Sequence, residues 1–507
     1  MDWFEKLSAA THCHQREEIA ADPNCIERVL EILIKEDVEE TVIYAGVNNP
    51  NCPEHLKVIG LERLEEIKKR KEQETNSSIC PIPWTHIGIQ QNGDFRICCQ
   101  AIYKPFGKLK DDNGNLLNIK NTDIETARNH KDLKSLRLQM LKNQKPALCK
   151  LCYDEEKVNL NSKRKFMLKK YDTSVYQALT EEDGSINTKQ FPLRYIDIRF
   201  GNLCNLKCRY CGPGDSSLWY EDFVEHHKTD VINYYGQEDY KLEKVNNKWT
   251  IKSLDFEWYE DEKFWNEIKN LLPYIDRYYF TGGEPTINKT HYNLLQLIID
   301  EGYSNRVTLE YNSNMVAIPD KLYDQWDHFQ EVAIGCSIDG YLDYANYLRY
   351  PSKWEDLEHN LDVLGYRSNK RINGSLSTTV NVFNILNFLD LSAWLMTKNY
   401  KRIKKTPSYH VLEGPASMSV QVLPAETKQW ITDQYEEFYT KIDQLYGTAW
   451  GDEFRKNYSG IINYMMAKDT SHLLPKLAAE TKSLDVIRNQ KIEEVIPWLA
   501  KILEKHS

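Results

Sequence analysis

Three cysteines crowd into the stretch Gly201-Asn202-Leu203-Cys204-Asn205-Leu206-Lys207-Cys208-Arg209-Tyr210-Cys211-Gly212-Pro213, at C-x3-C-x2-C spacing. Thiolates so close in sequence can wrap one face of a cubane iron-sulfur cluster and leave a fourth iron without a protein ligand. A structural zinc site is the simpler alternative, but zinc closes a tetrahedron of four ligands and this loop supplies three. The alternating run Leu193 to Phe200 predicts a strand that delivers the loop to its C-terminal end. Open α/β sheets and barrels place their chemistry there.

With Tyr210 as the aromatic residue before its last cysteine, the loop resembles that of the radical S-adenosylmethionine (SAM) superfamily. The resemblance implies that Cys204, Cys208 and Cys211 hold a [4Fe-4S] cluster and that the methionyl amine and carboxylate of SAM chelate the open iron. It further implies that the reduced cluster passes an electron to the sulfonium and releases a hydrogen-abstracting 5′-deoxyadenosyl radical. A reductant of the flavodoxin or ferredoxin kind is then needed. Because the cofactors carry that chemistry, the protein's task is orientation and exclusion of side reactions.

A second motif, Gly282-Gly283-Glu284-Pro285, stands at the end of the predicted strand Tyr278 to Thr281. Glycines let backbone approach a ligand closely, and a ligand ammonium seeks carbonyl or carboxylate acceptors. Read alone it is a strand-to-helix turn; the resemblance implies that these four residues meet the SAM amine. Asn312, Asn314, Ser337, Asp339 and Arg349, with Asn381, follow later strand ends and are candidates for the ribose hydroxyls or the SAM carboxylate. Arginine suits a bidentate carboxylate contact, and a surface ion pair is the plainer reading of Arg349. Cys336 is either a core thiol or a hydrogen-atom donor to a substrate radical.

From residue 191 onward strands alternate with helices, which implies parallel pairing through crossovers. Expected strands at Arg306 to Tyr311, Val332 to Ile338, Ser375 to Asn381 and Ser417 to Leu423 bring the set to six, with helices at Thr290 to Asp300, Trp354 to Leu364 and Leu386 to Met396. The fold class is α/β, and the resemblance implies a partial (β/α)6 TIM-like barrel. Residues near 213–260, with Trp219, Tyr220, Tyr234 and Tyr235, interrupt the pattern as a lid or a solvated excursion. Residues 426–507 read as helices packed on the barrel.

Ahead of the barrel, Thr85 to Ile89 and Phe95 to Cys99 flank Asn92-Gly93, a hairpin signal. The hairpin brings Cys80 towards Cys98, and Cys149 with Cys152 supplies a C-x2-C pair. Cys80, Gly93 and Cys98, with twelve residues before the glycine and four after it, resemble the SPASM and twitch modules that hold auxiliary clusters. The resemblance implies a second [4Fe-4S] cluster on Cys80, Cys98, Cys149 and Cys152. Here the module precedes the barrel instead of following it, Cys99 competes with Cys98, and a four-cysteine zinc ribbon fits the same spacing.

The expected organisation is a helical segment 1–77, the cysteine module 78–156, a connector 157–190, the barrel 191–425 and the terminal helices. His12-Cys13-His14, Cys25 and Cys52 match no metal spacing. No apolar run spans a membrane and no leader opens the chain, so a cytoplasmic protein with reduced thiols is expected. A net charge of −10 argues against general affinity for nucleic acid, and the basic runs at 163–170 and 401–405 read as solvated faces. Enzymes with such auxiliary modules often modify peptides or proteins, which is the expected substrate class. Small-molecule or cofactor synthesis is the alternative reaction, and a catalytically silent barrel that binds zinc and RNA or a partner is the alternative of another class.

Overall fold

The computed structural model describes residues 3, 6, 7, 13–36, 40–101, 107–157, 162–234, 238–252 and 254–506. The first segment is helical, as expected: α1 (Cys13–Ala21), α2 (Glu27–Glu36), α3 (Glu40–Val47) and α4 (Glu54–Asn76). Val29, Leu30, Leu33 and Ile34 recur at helical spacing on α2 and are buried with Ile43 and Leu56. The expected helix at Leu61 begins earlier, at Glu54, where the Pro53 carbonyl accepts from the amides of Leu56 and Lys57. Cys25 and Cys52 are part of this core. His12, and the side chains of Cys13 and His14, lie outside the described residues.

The cysteine module contributes α5 (Ile82–Thr85), β1 (His86–Ile89), β2 (Phe95–Arg96), α6 (Ile124–Arg128), α7 (Lys131–Leu141), α8 (Lys150–Lys157) and α9 (Lys163–Leu168). β1 and β2 pair antiparallel, Gly88 with Arg96 and Ile89 with Phe95. Gly93 takes φ +85° in the turn, a region that favours glycine. The hairpin is not a separate small domain. β1 also pairs in parallel with β3 (Tyr195–Ile198), His86 opposite Tyr195 through Ile89 opposite Ile198, so the hairpin extends the barrel sheet.

After β3 come α10 (Trp219–His227) and three antiparallel strands, β4 (Val231–Tyr234), β5 (Glu238–Val245) and β6 (Lys248–Ile251). This is the interruption seen in the sequence, now an ordered meander whose Leu242 and Ile251 pack with Tyr220 of α10. Tyr235 lies outside the described residues. The repeating units follow: α11 (Glu262–Leu271), β7 (Arg277–Phe280), α12 (Lys289–Asp300), β8 (Thr308–Ser313), α13 (Asp320–Trp326), β9 (Glu331–Cys336), α14 (Asp343–Leu348), α15 (Trp354–Gly365), β10 (Ile372–Val380), α16 (Asn387–Thr397) and β11 (Ser408–Val411).

The sheet order is β11-β10-β9-β8-β7-β3-β1-β2, all parallel except the β1–β2 hairpin. Seven strands run parallel; six of them, β3 and β7 to β11, joined through helices, form the expected partial barrel, β1 extends it, and β2 and β11 are the two edges of the sheet. The expected sixth strand at Ser417 to Leu423 is a pair of 3₁₀ turns instead. Within that stretch the Ser419 hydroxyl accepts from the Gln421 amide, a local partner in place of a ladder. Ser408–Val411 takes the place beside β10. The terminal helices α17 (Ala425–Tyr446), α18 (Thr448–Met466), α19 (Leu474–Arg488), α20 (Ile492–Val495) and α21 (Pro497–Glu504) share a second core with Val380, Val382 and Phe388. Among the described residues no helix is long and apolar enough to cross a membrane.

Two buried arginines tie the cysteine module together and to the segment that leads into the barrel. Arg137 on α7 donates to the carbonyls of Pro83 (2.9 and 2.7 Å), Gly184 (3.0 Å) and Arg128 (2.5 Å), and Arg128 donates to those of Trp84 (2.7 Å) and Phe191 (2.6 Å). Both are 0% exposed, so each carbonyl depends on a guanidinium for its partner. Replacing Arg137 by Met keeps the bulk and strands those carbonyls. We expect a loss of about 3 kcal/mol in chemical denaturation, from two or more unsatisfied acceptors; an unchanged midpoint would show that water replaces the guanidinium.

Candidate functional site

The loop 201–213 leaves the C-terminal end of β3 and is held from several sides. Gly201 turns at φ +68°, where a Cβ would stand 2.7 Å from the Phe256 carbonyl. The amides of Lys207 and Arg209 donate to the carbonyls of Tyr350 (2.8 Å) and Leu348 (2.9 Å). Asn202 Nδ2 donates to the Pro213 carbonyl (2.9 Å), drawing the two ends of the loop together. Cys208 is buried, while Cys204 and Cys211 are half-buried. Burial pushes the Cys204 thiol up to about 12, with the neighbouring Cys208 adding to it, and pushes Cys211 well above its ordinary range. Such thiols ionise when a metal takes the proton's place.

The Gly-Gly-Glu-Pro turn lies directly against this loop. The Glu284 amide donates to the Leu203 carbonyl at 2.8 Å. Gly282 and Gly283 have φ +75° and +57°, and a Cβ on Gly283 would meet the Leu203 carbonyl at 2.5 Å. The glycines are therefore required by the close approach of two backbones. Glu284 itself is buried and accepts from the Thr286 hydroxyl (2.7 Å) and the Asn314 amide (2.7 Å). Burial pushes its carboxyl up, against the pull of those donors. Asn314 reaches back to Asn205 Oδ1 at 2.7 Å, so this pair also positions the cysteine loop.

Several expected ligand contacts are committed elsewhere. Arg349 Nε pairs with Asp339 Oδ2 at 2.5 Å, and its Nη1 lies 3.7 Å from Cys208 Sγ. Tyr210 OH joins the same Asp339 oxygen, and Asp339 Oδ1 accepts from the Thr379 amide at 2.6 Å. Asp339 is 2% exposed and both its oxygens are engaged, so it anchors Tyr210 and Arg349 instead of offering itself to a ribose. Asn381 is fully buried and folds onto Thr379, Phe383 and Asn384. Cys336 is 0% exposed among Ile334, Leu364 and Tyr323, and a Cβ on Gly374 would stand 3.3 Å from its sulfur. It shares the helix-facing parity of Val332 and Ile334 on β9, which removes it as a donor to a substrate in the barrel.

The opposite parity builds a polar lumen. Registers across β3, β7, β8, β9 and β10 bring Asp197, Tyr279, Glu310, Ala333 and Asn373 into one rung, with Asn312, Gly335 and Ser375 in the next along β8 to β10. Asn312 Nδ2 donates to Tyr279 OH at 2.7 Å, and Ser337 continues the inward face of β9 beyond its last pair. Lys163 enters from α9: its Nζ donates to Tyr195 OH at 3.1 Å and stands 4.0 Å from Glu310. The charged members Asp197, Glu310 and Lys163 were not among the expected site residues, although the alternation Arg194-Tyr195-Ile196-Asp197-Ile198-Arg199 carries the signal of Asp197.

Lys163 also lines a second cavity, with Cys80, Cys98, Cys149, Cys152 and Arg164. Burial pushes the Cys80, Cys149 and Cys152 thiols up to about 12, each raised further by another member of the set. Cys99 is absent from this lining; the Cys98 thiol bonds to it and, with Lys163, holds it below the ordinary thiol range. Among the described residues no three His, Cys, Asp or Glu side chains converge on the position of a single ion. A cluster distributes its thiolates over several irons and does not need that convergence, so four thiols around one apolar cavity and three around one loop are donor sets that suit clusters.

Residues 198–389 match the model of the radical SAM superfamily, and residues 80–153 match that of an iron-sulfur cluster-binding domain, SPASM. Among solved structures, the chain is similar to native anSMEcpe with bound AdoMet, at 16% identity over 55% of this chain and 68% of that one, TM-score 0.32. It is also similar to Streptococcus suis SuiB bound to S-adenosylmethionine, at 14% identity over 64% and 67%, TM-score 0.28. No curated protein matches the chain.

Two outcomes test the geometry. Cys98→Ala is expected to abolish iron binding in the second cavity, while Cys99→Ala retains it, read as iron and sulfide per chain after anaerobic reconstitution; the reverse pattern would reassign the ligand. Gly283→Ala, forced to displace the Leu203 carbonyl, is expected to weaken SAM binding by roughly tenfold or more in equilibrium dialysis.

Proposed function

We propose that this chain is a radical SAM enzyme with an iron-sulfur cluster-binding domain ahead of its barrel, and that it modifies a peptide or protein substrate held in the barrel lumen between two clusters. Cys204, Cys208 and Cys211 would hold the catalytic [4Fe-4S] cluster, and Cys80, Cys98, Cys149 and Cys152 the auxiliary one. Bound together, the reduced cluster and SAM supply a hydrogen-abstracting radical, and a flavodoxin- or ferredoxin-like protein is the electron donor in this reading.

The observation that carries it is the double placement of Lys163, which lines the auxiliary cysteine cavity and reaches Tyr195 and Glu310 in the lumen. A substrate in the lumen would thus lie one side chain away from the auxiliary site. The two sheet edges, β2 and β11, do not pair with each other, and in this reading a chain substrate would enter between them. Gly282 and Gly283 present bare backbone to the loop and would offer carbonyls to the SAM ammonium. Asn312 and Ser337, on the inward faces of β8 and β9, are the polar groups left for its hydroxyls or carboxylate. Tyr210, Asp339 and Arg349 orient Cys208 from behind, with the Arg349 guanidinium close enough to donate to a thiolate.

Changing Cys204, Cys208 and Cys211 together to Ala tests the reading. The variant is expected to keep about half of the wild-type iron with the paramagnetic signal of one reduced [4Fe-4S] cluster, and to lose all reductive cleavage of SAM. Retention of zinc alone would make the N-terminal module structural. A SAM-dependent mass change on a metabolite, with peptides untouched, would move the substrate to the small-molecule class. Absence of iron from the reconstituted wild type, together with RNA or partner binding, would favour the silent barrel.

A further inference from the structure

The two cationic residues that flank Cys208 are both held by carboxylates, one on the helix that follows the loop and one near the C-terminus. Lys207 Nζ bonds Asp222 Oδ1 of α10 at 2.5 Å. Arg209 bonds Asp485 Oδ1 of α19, and its Nη2 also donates to Gln490 Oε1 at 3.0 Å. Asp485 Oδ2 accepts from the Ile492 amide at 2.8 Å, and Gln490 Nε2 donates to Asn346 Oδ1 at 2.8 Å, so the turn between α19 and α20 is folded around these groups. The Arg209 guanidinium lies 3.6 Å from the centre of the Tyr347 ring and donates through Nε to the Tyr347 carbonyl at 2.7 Å.

A second line of contacts closes the arrangement. Arg488, at the end of α19, donates through Nε to Asp222 Oδ2 at 2.9 Å and stacks over Trp219, 4.7 Å from the ring centre. Trp219 Nε1 in turn donates to the Cys208 carbonyl at 3.0 Å. Arg209, Asp222, Asp485 and Arg488 are all under 9% exposed. Buried charges are retained only with such partners, and loss of one partner leaves the other stranded. Pairs 266 and 276 residues apart in sequence thus converge on one cysteine.

We propose that α19 acts as a clamp on the catalytic loop, with Asp485 and Arg488 as positioning residues that fix Cys208 and set the charge behind it. The C-terminal helices and the meander rooted on α10 are then working parts of the cluster site, not appendages to the barrel. The inference rests on the reading of 201–213 as a cluster loop. Net charge and hydrogen bonding around the sulfurs set a cluster's potential. Asp485→Asn leaves Arg209 uncompensated and favours the reduced cluster, whereas Arg488→Met removes a positive charge and disfavours it.

The experiment uses the full-length, reconstituted protein. Anaerobic redox titration followed by electron paramagnetic resonance is expected to show the catalytic cluster moving to a more positive potential in Asp485→Asn and to a more negative one in Arg488→Met, with the auxiliary cluster unmoved in both. Hydrogen exchange of the 202–212 amides is expected to quicken by roughly 10- to 100-fold in Asp485→Asn. Gln490→Ala removes a neutral partner and keeps the test open if a charge variant does not fold; its exchange is expected to quicken by a smaller factor. Potentials that stay put, or move together with the auxiliary cluster, would overturn the clamp. A wild type with no catalytic cluster would instead overturn the reading on which the inference rests, and the exchange of the loop would still report whether α19 holds it.

Discussion

Everything at the proposed catalytic centre depends on how closely two backbones meet, at the Leu203 carbonyl and the Gly283–Glu284 peptide. The Glu284 amide bonds that carbonyl, and the absent Cβ of Gly283 makes the approach sterically open. This contact joins the end of β3 to the end of β7. Glu284 extends the tie to β8 through the Asn314 amide, and Asn314 returns to Asn205 within the loop. A buried carboxylate is costly, and this one is offset by donors that would otherwise be unpartnered themselves. The cysteine loop is therefore registered on three successive strand ends before any ligand is bound.

That dependence explains what was legible beforehand. The C-x3-C-x2-C spacing, the double glycine, the Asn-Gly turn and the alternation of strands with helices are local patterns, each with a local physical cause. Helices at Trp354 and Asn387 fall within a residue of their expected starts because their apolar periodicity is unbroken. The parity of Cys336 was legible as well: it falls in step with Val332, Ile334 and Ile338, all buried, and so belongs to the helix-facing side. Of the two readings its thiol allowed, core residue and hydrogen-atom donor, that position supports the core one.

Other features have no local cause. Nothing near Asp339 announces that Arg349 and Tyr210 will both close on it, and nothing near Arg209 points to Asp485. The parallel pairing of β1 with β3 joins segments more than a hundred residues apart, and a hairpin signal predicts only its own antiparallel partner. Ser417 to Leu423 alternates like a strand, yet Ser419 offers its backbone a local bond, and β10 takes Ser408–Val411 as its neighbour. For the pairings of Asp339, Arg209 and β1 a long-range partner outweighed a short-range pattern, whereas at Ser419 a local side-chain bond competed with the ladder.

The pairing of β1 with β3 carries a consequence for chemistry. Ile87 and Ile89 of β1 enter the same core as Ile196 and Ile198 of β3, and Arg128 and Arg137 fasten the flanking segments to backbone carbonyls. The cavity of Cys80, Cys98, Cys149 and Cys152 is consequently tied to the edge of the sheet whose next strand delivers the loop of Cys204, Cys208 and Cys211. Domains joined by a linker and a small polar interface move relative to each other by default, whereas a shared sheet and core hold their separation. A module that precedes the barrel in sequence can thereby keep a fixed distance to the catalytic loop without following it in the chain. In the proposed reading, adaptation to a substrate would come from the polar residues of the lumen and from the side of the barrel between β2 and β11.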